Sequence, residues 1–370
     1  MTKLEIRQQL TLVRKEKPDP DSLEFGRVFT DHMFVLDYTE GQGWHDPRII
    51  PYQPITLEPS SMVFHYGQTV FEGLKAYKTP AKEVVLFRPE KNISRLNKSS
   101  ARMSIPAIDE DLALEGLKQL VALDREWVPE APGTSLYIRP FIIATEQYLG
   151  VAPSRNYQFI IIMSPVGSYY KEGMNPVKIL VEKEYVRAVK GGTGEAKTGG
   201  NYASSLKAQQ EATALGYSQT LWLDGKEQQY IEEVGSMNIF FVIDGLVVTP
   251  ALNGSILPGV TRDSILHVLR KEGIPVEERR ISIDELVEAH KAGKLQEAFG
   301  TGTAAVISPI GEFLWEGQNL LVNNGEVGSL TQHLYDTLTG IQTGTLEDPF
   351  GWTITLESPS GDKVEEISTL

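Results

Sequence analysis

Two hydrophobic periods alternate along the chain. Apolar residues alternate with polar ones or run unbroken over Arg27 to Tyr38, Val84 to Phe87, Ser135 to Ala144 and Tyr157 to Pro165. These stretches are rich in β-branched and aromatic residues and bounded by Gly or Pro, which predicts strands. Between them the period lengthens to that of helices, over Ile93 to Met103 and over Glu110 to Trp127 with Asp109 as N-cap. Gly167 to Pro176 breaks the pattern with turn chemistry, Gly173, Asn175 and Pro176 standing close together. The chain is therefore expected to divide into residues 1–166, a link over 167–176, and residues 177–370. The second part opens on a strand from Val177 to Glu182, passes through a glycine-rich loop from Gly191 to Gly200 and a helix from about Tyr202 to Leu215, and then turns β-rich. Ile239 to Thr249 predicts a hairpin, because Asp244-Gly245 supplies two positive-φ positions between apolar runs. Pro258-Gly259-Val260-Thr261 leads into a helix from about Arg262 to Lys271, which Gly273 and Pro275 close.

Composition narrows the classes of function. With 370 residues, 41% hydrophobic and 23% charged, the chain has the make-up of a soluble globular protein with room for two domains. A formal net charge of -14 argues against nucleic acid or an anionic membrane as the main partner, leaving room for a local basic pocket that takes a small anion. Cysteine is absent, which removes disulfides, thiolate nucleophiles and zinc-thiolate sites, and the six histidines show no metal-ligand spacing. Met1 to Lys17 has no apolar core of signal-peptide length, and no stretch reaches the roughly 20 apolar residues of a spanning helix, so a cytoplasmic protein is expected.

Chemistry concentrates in three glycine-rich segments. Lys190 to Tyr202, KGGTGEAKTGGNY, sets five glycines around Lys197, and bare backbone of this kind approaches a ligand closely. The same residues also suit a solvated surface loop, or a phosphate-binding loop, since GGTGEAKT approaches the template GxxxxGK[ST]. Against the latter, Ala196 stands where the second template glycine belongs, and GGNY delays the helix that should follow at once. PGVTR at 258–262 places the Val260 and Thr261 amides at a helix start, as an anion site or as a plain capped turn. FGTGTAAVISP, 299–309, is either an anion nest or a tight turn into a core strand. The pair Glu232-Glu233 stands at a strand entrance. Tyr66, Phe71, Tyr137 and Tyr169 are core aromatics or pocket walls.

Taken together, FEGLKAY (71–77), LYIRP (136–140), GEAKTGGNY (194–202), EEVGSMNIFF (232–241), LPGVTR (257–262) and FGTGTAA (299–305) closely resemble the branched-chain aminotransferases of the fold-type IV pyridoxal-phosphate enzymes. The resemblance runs in order from about Phe25 to beyond Pro309. It implies an α/β (α+β) fold, with a smaller open α/β N-terminal domain and a larger C-terminal pseudo-barrel domain that carries pyridoxal 5'-phosphate. Lys197 matches the Schiff-base lysine, which serves as nucleophile and general base. Glu233 matches the carboxylate that keeps the pyridine nitrogen protonated, chosen over Glu232 because it directly precedes Val-Gly. Tyr202 matches the phenol at the cofactor 3-oxygen. Arg95, Val260, Thr261 and Thr303 match phosphate ligands, and Arg187 a further arginine near the cofactor. Thr303 and Ala304 match the amides for the substrate α-carboxylate, Phe71, Tyr66, Tyr137 and Tyr169 the pocket walls, and Arg139 the arginine for the distal carboxylate of glutamate.

The reaction so implied is a ping-pong exchange between branched-chain L-amino acids and 2-oxoglutarate. Relatives of this kind are homodimers that borrow residues across the interface, often the tyrosine matching Tyr66. Where some members carry a CxxC pair this chain has Ala305 and Ser308, which excludes a thiol switch. Another substrate specificity within the same fold type, or a lyase using the same lysine, stays open at this level.

Overall fold

The computed structural model describes residues 4–167 and 174–357, so Tyr169 and most of the expected link lie outside the described residues. Two mixed sheets organise these residues. In the first, strands run in the order Arg7–Gln8, Gly43–Pro51, His32–Thr39, Asn156–Val166, Ser135–Ala144, Leu74–Lys78, Val84–Phe87 and Thr353–Leu356, with Thr69–Phe71 added beside Ser135–Ala144. In the second the order is Ile231–Val234, Gln219–Leu223, Val177–Val181, Val306–Trp315, Leu295–Gly302, Asn238–Ile243, Leu246–Pro250 and Val276–Arg279, with Gln318–Leu321 on the side of Val306–Trp315. Among the described residues no helix is long and apolar enough to cross a membrane.

The strands that the sequence predicts lie near their expected places, and the differences have local causes, whereas the strands Gly43–Pro51 and Leu74–Lys78 and the helices Ile283–Lys291 and Ser329–Thr343 are additions to them. The first long strand starts at His32 rather than Arg27. The helix expected from Ile93 starts at Pro89, because proline at the first position suits a helix start and Arg88 turns the chain at φ 48°. Asp109 caps the next helix by accepting from the Leu112 amide, but that helix ends at Leu123. Asp124 leaves the helical path to receive the amide and ring Nδ1 of buried His32, at 2.9 and 2.7 Å. The helix expected over 202–215 splits into Gly199–Ala203 and Leu206–Ala214, where the Ser204 and Ser205 hydroxyls bond the carbonyls of Asn201 and Tyr202. The hairpin turns at Asp244-Gly245 with φ 52° and 80°, and Gly273 follows its helix at φ 70°.

Each sheet has its own apolar core, one around Phe34, Leu36, Leu117 and Phe159, the other around Ile179, Leu221, Phe241 and Phe313. A third cluster joins them, packing Tyr77, Val85 and Phe87 of the first sheet against Phe240, Val247 and Phe299 of the second and against Leu334 and Leu338. The tail that follows the last helix takes part in this joint. Phe350 stacks on Trp352 at 4.0 Å, Arg88 lies 4.8 Å from the Trp352 ring, and Thr353–Leu356 pairs antiparallel with Val84–Phe87. Strand 353–356, assigned by sequence to the second part, therefore completes the first sheet.

Candidate active site

Lys197 is placed by its backbone. Its amide donates to Ser99 Oγ at 2.9 Å, its carbonyl accepts from the Phe71 amide at 2.9 Å, and the Thr198 hydroxyl donates to Thr69 O at 2.8 Å. The glycine loop before it is not a loose surface segment. Asn201 Nδ2 donates to the carbonyls of Thr193 and Ala196, both at 2.8 Å, and a Cβ at Gly194 would meet Ser255 O at 2.1 Å. So held, Lys197 Nζ donates to the Tyr202 hydroxyl at 2.9 Å and sits 4.9 Å from the Phe71 ring centre.

Glu233 is buried within the second sheet. One oxygen accepts from the Leu257 amide at 2.7 Å and the other meets Arg187 Nε at 3.0 Å. Burial raises the Glu233 pKa, and the Arg187 charge works against that rise. Glu232 has a different set of partners, Asn253 Nδ2 at 3.0 Å and the Ser255 hydroxyl. Arg187 itself is fixed by Glu233 and by the Ser255 carbonyl at 2.9 Å, and so stands behind the carboxylate.

The segment 257–261 ties these groups to an anion site. Leu257 holds Glu233 through its amide and receives Asn238 Nδ2 on its carbonyl at 2.9 Å. Pro258 O accepts from Arg95 Nη1 at 3.0 Å. Gly259 is the N-cap of Val260–Lys271 and offers no side-chain acceptor to the first-turn amides, while a Cβ there would meet Asn238 Oδ1 at 2.0 Å. Arg95 forms a two-point pair with buried Glu72, at 2.7 and 2.9 Å. Burial alone would raise the Glu72 pKa, but the Arg95 charge and hydrogen bonds outweigh it and hold Glu72 ionised, below the usual range.

The turn 303–305 is tied to the start of the strand Leu74–Lys78. The Thr303 hydroxyl donates to Gly73 O at 3.1 Å, and Lys75 Nζ donates to Ala304 O at 2.7 Å. Val306 follows at φ 62°, a left-handed conformation that costs a β-branched residue strain and is tolerated where the surroundings enforce it. On the same sheet Arg139 Nη2 donates to the Tyr137 hydroxyl at 2.9 Å and lies 4.7 Å from the Phe71 ring, while Phe25 meets Tyr137 edge-on at 4.8 Å. Direct contacts thus join Lys197, Tyr202, Phe71, Arg139 and Tyr137. Glu233, Arg187, Arg95, Val260 and Thr261 are joined through 257–261, and Thr303 and Ala304 through Gly73 and Lys75. Tyr66 is not among them. It is 41% exposed, and its hydroxyl donates to Leu149 O.

Sequence reasoning passed over Glu72, Asn238, Ser99, Phe25 and Lys75. Glu72, Lys75 and Asn238 stand inside the quoted motifs, and a polar side chain within an apolar run that folds into a core must find a partner there. That was the available signal. Ser99 and Phe25 carried none.

A lysine amine beside a phenol, a buried carboxylate backed by arginine, and an arginine beside a glycine-capped helix start define a cofactor enzyme that works through a lysine. This donor set fits an aromatic nitrogen heterocycle bearing a phosphate: the carboxylate suits a protonated ring nitrogen, the phenol a ring oxygen, and the arginine with helix amides a phosphate. Amino-transferase class IV matches over residues 69–313. The chain is 66% identical to branched-chain-amino-acid aminotransferase 2 of Bacillus subtilis (strain 168) over 353 residues, covering 95% of this chain and 97% of the relative. It superposes on the Escherichia coli branched-chain amino acid aminotransferase with a TM-score of 0.71 and 28% identity, over 88% and 99% of the two chains. For the T.th. branched-chain amino acid aminotransferase with pyridoxamine 5'-phosphate the values are 0.72 and 28%, over 87% and 98%. The protein belongs to the class IV aminotransferases, and its cofactor is pyridoxal 5'-phosphate.

Proposed function

We infer that the protein is a branched-chain-amino-acid aminotransferase that moves the amino group of leucine, isoleucine or valine to 2-oxoglutarate. The observation that carries this reading is the clamped Lys197 amine, 2.9 Å from the Tyr202 phenol in a site that also holds a buried carboxylate–arginine pair. When bound, the cofactor supplies an electron sink that makes the amino-acid Cα proton acidic.

The chain's residues do the rest. Lys197 would hold the cofactor through its Nζ, and once displaced by the incoming amine that Nζ would take the proton from the substrate Cα and release it to the cofactor carbon on the far side of the shared nitrogen. Tyr202, the acceptor for Lys197 Nζ, keeps that amine oriented. Glu233 keeps a proton on the ring nitrogen, and Arg187, acting through Glu233, stabilises its carboxylate form in a buried place. Arg95 and the amides of Val260 and Thr261 hold the phosphate, with Thr303 beside them. The Thr303 and Ala304 amides bind the α-carboxylate. Phe71 and Tyr137 shape the apolar pocket, and Arg139 offers its guanidinium to the distal carboxylate of glutamate, so one pocket accepts aliphatic and acidic partners.

The working unit in this reading is a homodimer in the cytoplasm. Phe64, Tyr66, Tyr148, Leu149 and Val151 are 41 to 86% exposed, and the Tyr66–Leu149 hydrogen bond joins their two segments. An apolar patch of this kind marks an interaction surface, and a second copy would bring it to the pocket mouth.

The decisive experiment is the visible spectrum of the purified protein and of Lys197→Ala, before and after borohydride, followed by leucine. The expected result is a yellow band that borohydride fixes to Lys197 and that leucine bleaches. A colourless protein that stays inactive when supplied with pyridoxal phosphate overturns the reading.

A further inference from the structure

Glu72 takes no part in the chemistry proposed above, yet its carboxylate is bonded on every side. It is fully buried between the strands Thr69–Phe71 and Leu74–Lys78. One oxygen accepts from Arg95 Nε at 2.7 Å. The other accepts from Arg95 Nη2 at 2.9 Å, from Asn92 Nδ2 at 2.8 Å and from the Gly73 amide at 3.1 Å. With both oxygens engaged and none of its surface exposed, Glu72 reaches the reaction only through its donors.

The backbone beneath this carboxylate is fixed. The Glu72 amide donates to Pro140 O at 2.7 Å, and the Phe71 amide before it is the one that donates to Lys197 O. A Cβ at Gly73 would meet the Tyr137 hydroxyl at 2.1 Å, and Gly73 O receives both Asn92 Nδ2 and the Thr303 hydroxyl at 3.1 Å. Asn92 and Arg95 lie on the same face of the helix Pro89–Arg102 and grip the carboxylate together. Glu72 thereby holds one edge of the guanidinium, and Pro258 O, just before the helix Val260–Lys271, takes a hydrogen of Nη1. Each of Nη1 and Nη2 spends one hydrogen in these bonds and keeps one. A planar guanidinium gripped along one edge presents its remaining donors in one direction. A buried ion pair gains little stability over an apolar pair of similar size, because both charges lose their water. Aiming donors at an anion is a task that an apolar pair cannot perform.

We propose that Glu72 is a positioning residue that gives the site its preference for a phosphorylated over an unphosphorylated cofactor, by presenting the free hydrogens of Arg95 to the phosphate. The proposal deepens the reading of Arg95 as a phosphate ligand and rests on it. Side-chain length matters here as well as charge. Aspartate at this position keeps the charge but withdraws the carboxylate by one methylene, so the guanidinium loses the edge-on pair that orients it.

The test is to equilibrate the full-length holoenzyme by dialysis against graded pyridoxal 5'-phosphate and, separately, pyridoxal, reading occupancy from the visible band and from the borohydride-fixed label. Wild type, Glu72→Asp, Asn92→Ala, Arg95→Lys and the double variant Glu72→Asp with Arg95→Lys are compared. Glu72→Asp is expected to raise the half-saturating concentration of pyridoxal phosphate roughly tenfold or more, and that of pyridoxal less than about threefold. Asn92→Ala leaves both charges in place and frees one side of the carboxylate. It is expected to give the same selective loss to a smaller degree, and it decides the question should Glu72→Asp not fold. In Arg95→Lys the further change Glu72→Asp is expected to add little, because Glu72 acts through Arg95. Equal shifts for the two ligands reveal a merely structural role and overturn the proposal, as does an unchanged affinity for pyridoxal phosphate. If Arg95→Lys keeps the wild-type preference for the phosphate, the reading of Arg95 fails and the proposal with it. A preference lost in Arg95→Lys but kept in Glu72→Asp and Asn92→Ala sinks the proposal alone.

Discussion

Buried charges decide most of what single residues do here. Arg187→Ala leaves the Glu233 carboxylate buried without its cation, an arrangement that costs about 3–5 kcal/mol in folded proteins, so a large fall in the denaturant midpoint is expected. Glu233→Gln keeps the shape and is expected to lower kcat by roughly 10²-fold or more with less effect on stability, since the electrostatic partner of the ring nitrogen is gone. Steady-state rates and urea melts on the same two variants separate these outcomes. Lys75 yields a pH prediction of definite sign. Its cross-strand partner is Tyr137, and Tyr77, the Lys78–Glu130 pair, Tyr335 and Asp336 share the walls of one cavity with it, none of them an ion-pair partner of its ammonium. With the folded pKa lowered to about 8, the unfolded chain binds more protons above that pH, so stability rises from about pH 8 towards the ordinary lysine value. In Lys75→Met that rise, on the order of 3 kcal/mol, is expected to disappear from urea melts taken across the interval.

Single elements show how local chemistry aims the site. The helix Glu110–Leu123 depends on Asp109, whose carboxylate takes the Leu112 amide, and Asp109→Ala is expected to cost about 1 kcal/mol of stability without touching kcat. The start of Val260–Lys271 is more demanding. Gly259→Ala drives a Cβ into Asn238 Oδ1, and Asn238 is what orients Leu257 and hence Glu233. Weakened cofactor retention is expected, measured as a higher pyridoxal-phosphate concentration for half-maximal activity, with secondary structure intact by circular dichroism. Both helix ends were legible in the sequence because caps act within a few residues. The split of the helix after Gly199 was not, since it depends on where the Ser204 and Ser205 hydroxyls turn, and the end at Leu123 was hidden because Asp124 answers to His32 far away in sequence.

At the scale of the whole molecule, the joint between the two sheets is an apolar cluster closed by the tail. Trp352 packs on Phe350, Phe87 and Arg88, and Trp352→Ala is expected to destabilise the protein by about 3–5 kcal/mol, read as a lower melting temperature, with looser cofactor binding because Arg88 also holds Asp263 and Ser264 of the helix proposed to bind phosphate. Sequence by itself determined the strands over 84–87, 135–144 and 157–165, the helix capped by Asp109, the hairpin at Asp244-Gly245, the family, and the set of residues in which the chemistry is sought, because periodicity, caps and short motifs are written in neighbouring positions. Only the tertiary structure decided that Arg187 stands behind Glu233, that Glu72 fixes Arg95, that Tyr66 faces outward with Leu149, and that strand 353–356 returns to the first sheet. Each of these joins residues distant along the chain, and such pairings follow from how sheets and helices close on one another, which no local pattern of hydrophobic and polar positions records.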